Sequence, residues 1–244
     1  MRRLLCGSVM LVLSLFTFQA SAALVEGTDY VVLKPAQPTS DPNKIVVTEF
    51  FSYQCPHCYQ FFPIVNAWVA KLPTDVTFER IPVSFGHPNW ASIGQAYYAL
   101  LAMDKLDTKL DSAIFNAIHA QNQKLGDLSS ITDFLVKQGI NGQEFVSVYN
   151  SFGVMNKMRS AEQAVPAYGI EGVPTVIIDG KYKVLGNDHE KQLAVASELI
   201  SVVRSARKMP APVAKTEPVT TAPVAAATKA SAKKAPASTK QAKN

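Results

Sequence analysis

Apolar residues recur along the chain in two rhythms, and each predicts a different kind of element. The segment 44–51 is an almost unbroken run of β-branched and aromatic residues, including Ile45, Val46, Val47, Phe50 and Phe51, as expected of a strand buried on both faces. Weaker strand signals lie at 30–33, at 76–83 through Val76, Phe78, Ile81 and Val83, and at 174–178 and 181–185. Asp179-Gly180, between the last two, is a hairpin turn signal. From Cys55 the rhythm becomes helical: apolar residues at 59, 61, 62, 65, 68, 69 and 72 predict a helix to Pro73, kinked at Pro63. Pro56 suits its first position, where φ is already helical and no N–H is needed. Helical spacing returns over 91–157, in Ile93, Ala96, Tyr97, Leu100 and Leu101, then Ile114, Phe115 and Ile118, then Ile131, Phe134 and Leu135. Gly126-Asp127 and Gly139 interrupt it, residues 188–207 predict a closing helix, and no internal repeat is visible. Helical segments between two groups of strands are the layout of an α/β domain with helices inserted into it.

Both ends differ from this body. Arg2 and Arg3 precede an apolar run from Leu4 to Phe18, and Ala20-Ser21-Ala22 offers a small-residue cleavage site. Residues 1–22 therefore read as an export signal cleaved after Ala22. The run is short for a bilayer span, which needs roughly 20 residues. Twin-arginine export and a lipid-anchored Cys6 are weaker readings: little else of the first motif surrounds Arg2-Arg3, and almost no apolar segment precedes Cys6. From Met209 onward the chain is rich in Ala, Lys, Pro, Thr and Ser with no aromatic residue, which predicts a disordered polycationic tail over 209–244. Of the net charge of +5, the leader holds +2 and the tail +5, leaving −2 on the body. A slightly acidic body argues against nucleic acid as a partner, because duplex binding draws on clustered Lys and Arg. The tail's charge suits either a solvated tether or contact with anionic envelope surfaces. At 244 residues, 48% of them hydrophobic, the chain can fill one large domain or two modest ones.

Removal of the leader leaves two cysteines, Cys55 and Cys58. A purely structural disulfide between them would close a loop of about four residues and stabilise by only ~2 kcal/mol, a small gain for a domain of this size. Half of a zinc site is a second reading, but zinc takes four ligands and the chain has only four His, at 57, 87, 119 and 189. His57 lies within the loop and turns poorly onto the same metal. Redox chemistry suits the position best: Cys55 sits where a helix begins, and the unpaired N–H groups there favour a thiolate. A cationic His57 adds to the effect. A stabilised thiolate is a good leaving group, which makes the disulfide form an oxidant. Cys55 is then the exposed sulfur that forms the mixed disulfide, and Cys58, one turn deeper, the resolving thiol.

The motifs come in a specific order: Glu49-Phe50-Phe51-Ser52, Cys55-Pro56-His57-Cys58-Tyr59-Gln60-Phe61, Gly139-Ile140-Asn141-Gly142-Gln143-Glu144-Phe145, Asn150-Ser151-Phe152 and Gly172-Val173-Pro174. A strand and the turn Asp179-Gly180-Lys181-Tyr182 follow. Over 28–207 this set resembles the DsbA family of bacterial periplasmic disulfide oxidases. The resemblance implies an α/β chain with a thioredoxin fold and an inserted all-helical domain: a first thioredoxin part over 23–86, the insertion over 87–160 and a second thioredoxin part over 161–208. It implies catalytic roles for Cys55, Cys58, Pro56, His57 and Glu49, and substrate binding by Val173 and Pro174 in a cis-proline loop facing the disulfide. Glu49 becomes a buried acid with a raised pKa that moves protons for the thiols, where its bare position also allows a strand-end carboxylate reaching water. Arg80 stands where the best-known members carry Lys, so beside Glu49 it would be a fixed charge; a plain surface Arg is the other reading. Pro82 departs from the His of some members. Phe61, Phe62, Phe85, Trp90, Tyr97 and Tyr98 read mostly as core, with one or two free to line a client groove, and His87, His119 and His189 as ordinary residues.

The function that follows is oxidation of newly exported, cysteine-containing proteins, with the Cys55–Cys58 disulfide in place of any cofactor, no metal, and reoxidation by a membrane quinone reductase of the DsbB type. A reductase or isomerase of the same fold is the alternative; it would favour a dimerisation domain ahead of the cysteines, where only 23–43 precede the strand at 44–51. A holdase or adhesin-like module with incidental cysteines is the third reading.

Overall fold

A computed structural model describes residues 23–212. The expected export signal at 1–22, with Cys6, and the tail beyond residue 212 lie outside the described residues. Five strands, β1 (Tyr30–Val32), β2 (Ile45–Phe51), β3 (Val76–Pro82), β4 (Thr175–Ile178) and β5 (Tyr182–Val184), form one sheet in the order β1-β5-β4-β2-β3. β2 runs parallel to β3 and antiparallel to β4, and β5 is antiparallel to both β4 and β1. The helix α1 (Pro56–Val69) carries the chain from β2 to β3 and continues through Pro63.

β2 is central, and all seven of its residues are buried. Because side chains alternate across a strand, its odd and even positions enter different cores. Ile45 and Val47 join Phe61 and Val65 of α1 and Leu193, Ala196 and Leu199 of the closing helix α7 (His189–Ala206). Phe50 faces the opposite side with Ile177, Val83, Tyr168 and Ile170. Phe51 reaches instead into a third cluster with Phe115, Tyr97, Ile93 and Leu100, the core of the inserted helices. Those helices, α2 (Pro88–Ala102), α3 (Thr108–His119), α4 (Leu128–Lys137), α5 (Gly142–Tyr149) and α6 (Phe152–Ala167), all lie between β3 and β4 in the chain. This is the thioredoxin fold with helices inserted.

Two differences from the sequence reading have simple causes. α6 continues past 157 to Ala167, although it buries only Val154, Met158 and Ala161, too few apolar positions to announce a helix. At the other end Met209, assigned by composition to the tail, packs partly buried against the α1–α7 core, and its N–H bonds to Arg204 O. The turn at Asp179-Gly180 holds both residues at positive φ, 57° and 63°, as a tight hairpin requires.

Candidate functional site

The N-terminus of α1 presents its backbone donors to a sulfur. Cys55 occupies the N-cap in an extended conformation, Pro56 follows at N1, and no side chain caps the helix. Ser52 fixes the approach: its carbonyl accepts the Cys55 N–H at 3.1 Å and its hydroxyl accepts the Gln54 N–H at 3.2 Å. Pro56 and His57 project to solvent, while the two thiols are unbonded and sheltered. Cys55 is 5% exposed and Cys58 0%, so Cys55 is more enclosed than its expected role suggested, yet it alone of the two reaches solvent.

The two thiols are driven apart in acidity. Cys55 is brought down from 9.0 to about 6, chiefly by a hydrogen bond from the Cys58 thiol, with the N–H groups of Cys58 and His57 and the charge of His57 adding to it against the opposing effect of burial. Cys58 is pushed well above its ordinary value by burial first, then by its bond to Cys55 and by the negative charges of Cys55 and Glu49. As a thiol Cys55 donates to the Val173 carbonyl at 3.3 Å; as a thiolate it can only accept, and the helix donors take over.

Beneath the pair lies a buried charge network. Glu49 is 0% exposed in mid-strand, not at a strand end, and its Oε2 accepts from Arg80 Nε at 2.8 Å. Arg80 is opposite Glu49 in the β2–β3 register, and its guanidinium stacks 4.0 Å over the Phe51 ring. Its Nη1 donates to Asp111 Oδ2 of α3 at 2.6 Å, and Asp111 Oδ1 accepts from the Tyr53 hydroxyl. The surface reading of Arg80 is thus wrong: strand register delivers it to Glu49. Burial raises both carboxyls, opposed by Arg80. α3 also braces the cysteine turn, since His119 Nε2 lies 2.8 Å from Tyr53 O and the ring stacks on Tyr59, whose hydroxyl bonds to Asn116.

Val173 and Pro174 meet the site from the other side. Their peptide bond is cis, and they line a groove of about 460 Å³ with His57, Thr175, Lys183 and His189. Of the aromatic residues read as core, Phe61, Phe62 and Tyr97 are buried, while Phe85, Trp90 and Tyr98 are partly so. Sequence reasoning missed Asp111, Tyr53 and His119. Asp111 left a trace: it occupies an apolar stripe with Ile114 and Phe115, where an acid has no reason to be unless paired. Among the described residues no group of His, Cys, Asp or Glu could hold a metal ion, and no helix is long and apolar enough to cross a membrane.

A thioredoxin sheet that sets an acidic thiol and a suppressed one at the start of its first long helix defines a class, the thiol–disulfide oxidoreductases. Comparison with known proteins narrows it. The model of the DSBA-like thioredoxin domain matches residues 46–197. The chain is 41% identical over 213 residues to the thiol:disulfide interchange protein DsbA of Pseudomonas syringae pv. tomato, covering 85% of this chain and 99% of that one. The Azotobacter vinelandii protein of the same description is 40% identical over 216 residues, covering 85% and 100%. The crystal structure of Pseudomonas aeruginosa DsbA superposes with a TM-score of 0.71 at 39% identity, over 75% of this chain and 95% of that chain. The chain belongs to the DSBA-like thioredoxin family, and it is a thiol–disulfide oxidoreductase.

Proposed function

We propose that this oxidoreductase works in the periplasm, giving a Cys55–Cys58 disulfide to newly exported proteins. The observation that carries the reading is the unequal pair: Cys55 near 6 at a helix N-terminus, and Cys58 buried and held as a thiol. A client thiolate attacks Cys55 Sγ, the bond to Cys58 breaks, and Cys58 leaves with the electron pair and takes a proton. A second client thiolate then attacks the client sulfur of the mixed disulfide, and Cys55 leaves as a thiolate held by the α1 donors. The client gains one disulfide and the dithiol carries away two electrons.

Each remaining site residue has a part. Pro56 starts the helix and leaves its donors to the sulfur, and His57 supplies positive charge at the rim. Glu49, close enough to act on Cys58, is in its protonated form the proton donor for the leaving thiolate. Val173 and Pro174 hold the client strand along the groove, the Val173 backbone offering β-type hydrogen bonds. The leader at 1–22 directs export, the basic tail stays near the envelope surface, and a membrane quinone reductase of the DsbB type takes the electrons. No cofactor beyond the disulfide enters this scheme.

The test is the redox equilibrium of the purified protein against glutathione. A potential well above that of the glutathione couple is expected of a disulfide made to be given away. A potential near that of thioredoxin would sink the oxidase reading in favour of a reductase.

A further inference from the structure

The buried charges beneath the dithiol do not balance if every group is ionised. Arg80 is one cation between two carboxylates, Glu49 at 2.8 Å and Asp111 at 2.6 Å, and all three side chains are at most 11% exposed. Two ionised acids would leave net negative charge in a desolvated site, next to a sulfur that must itself become an anion. One proton on one of the acids removes the excess.

The hydrogen bonds show where that proton sits. Both oxygens of Asp111 accept, one from Arg80 and one from Tyr53. Glu49 has one oxygen on Arg80, while its Oε1 is buried with no partner. An oxygen without a donor is the place for a carboxyl proton. The remaining titratable groups that act on this cluster are Tyr53, Tyr97, Asp107, Cys55 and Cys58, none of them a cation.

We propose that Asp111, brought in by the inserted helices, is a positioning residue for the dithiol: it takes the ionised place beside Arg80, keeps Glu49 protonated, and so keeps negative charge away from Cys55 and Cys58. This rests on the reading of Cys55 and Cys58 as the reacting pair. It gives the inserted helices a chemical task besides covering the site, and it leaves Glu49 holding the proton that Cys58 needs when it leaves.

The test is the ultraviolet thiolate titration of reduced Asp111→Asn, in the wild-type background and in Glu49→Gln. Asn keeps the shape at 111 but not the charge, so the ionised form passes to Glu49 beside the thiols. Cys55 should then ionise about one pH unit higher, a roughly tenfold loss of thiolate near pH 5 and about twofold near pH 7. In the Glu49→Gln background residue 49 cannot take the charge, Arg80 is left uncompensated, and the same substitution should move Cys55 down. A shift of one sign in both backgrounds overturns the proposal, whether it comes from a structural change or from the charge of Asp111 acting directly through space. Should Asp111→Asn fail to fold, infrared spectroscopy decides on the native protein. The carbonyl band of a buried protonated carboxyl should be present and should vanish in Glu49→Gln; its absence overturns the proposal. Because neither readout uses a client, a weakly oxidising potential would refute the oxidase reading and leave this one standing.

Discussion

Lowering the pH should erase a stability that only the reduced protein possesses. In the dithiol the folded Cys55 ionises near 6, against an ordinary 9.0. A depressed value contributes stability that is complete above the unfolded value and is lost as the pH falls through the folded one. Fully expressed, a difference of about 3 units is worth ~4 kcal/mol. At pH 8 it gives roughly 2.5 kcal/mol, at pH 7 about 1.4, and at pH 5 almost nothing. Cys55 lies at the rim of the site, so solvent screening brings these figures down and they are upper values. Cys58 adds nothing in this window, because burial holds it as a thiol in the fold and it is also a thiol when unfolded. The oxidised protein has neither thiol but shares every other titrating group. The disulfide adds only a pH-independent offset, so the pH dependence of the difference between reduced and oxidised unfolding free energies reports Cys55. Urea unfolding of both forms at pH 5, 6, 7 and 8 measures it, with equal slopes as the check that the denatured states compare. The thermodynamic cycle links the same quantity to function: 2.5 kcal/mol of extra stability in the reduced fold corresponds to about 50 mV of oxidising potential. A difference that stays flat from pH 5 to pH 8 would refute the assignment of the thiolate to Cys55.

Two further outcomes test the frame around the site. Arg80→Met leaves two buried acids without their cation and should cost ~3–5 kcal/mol in the oxidised protein. The loss should grow as the pH rises above the unfolded carboxylate range, because the orphaned acids must stay protonated to remain buried; a pH-independent loss in urea unfolding would point to packing alone. Gly180→Ala would place a Cβ 2.1 Å from the Gln37 carbonyl at a φ of +63°. The urea midpoint should fall by an amount equivalent to about 2 kcal/mol or more with an unchanged slope, and an unchanged midpoint would mean that the loop shifts freely.

What could be read in the sequence, and what could not, follows from how far apart the cause and its sign lie. The β2 run and the apolar spacing from Tyr59 onward place Cys55 at a strand-to-helix junction because strand burial and helix amphipathicity are local patterns. The hairpin at Asp179-Gly180 is legible for the same reason, since turn chemistry needs only two residues. Arg80 was ambiguous because its partner comes from strand register 31 residues away. Asp111 was missed because its partners, Tyr53 and Arg80, lie in other elements, 58 and 31 residues distant. The enclosure of Cys55 was equally non-local: Val173, 118 residues on, faces its sulfur.

Three local exceptions among the described residues converge on one place, and that convergence carries functional weight. Five helices begin with a side-chain cap, from Asp107, Asp127, Asn141, Ser151 and Asp188, each accepting a backbone N–H of its first turn. α1 and α2 do not; at α1 the N-cap is Cys55, and the free donors remain for a sulfur anion. An acid in the apolar strand β2 and another in the apolar stripe of α3 meet beneath that same helix start. Hydrophobic residues in place of all three charged groups would serve stability as well or better, since buried ion pairs seldom repay their desolvation. A helix end without a cap side chain and two carboxyls around one arginine are poor stabilisers. They are useful where a sulfur must gain and lose a charge and its buried neighbour a proton, and the fold concentrates them there.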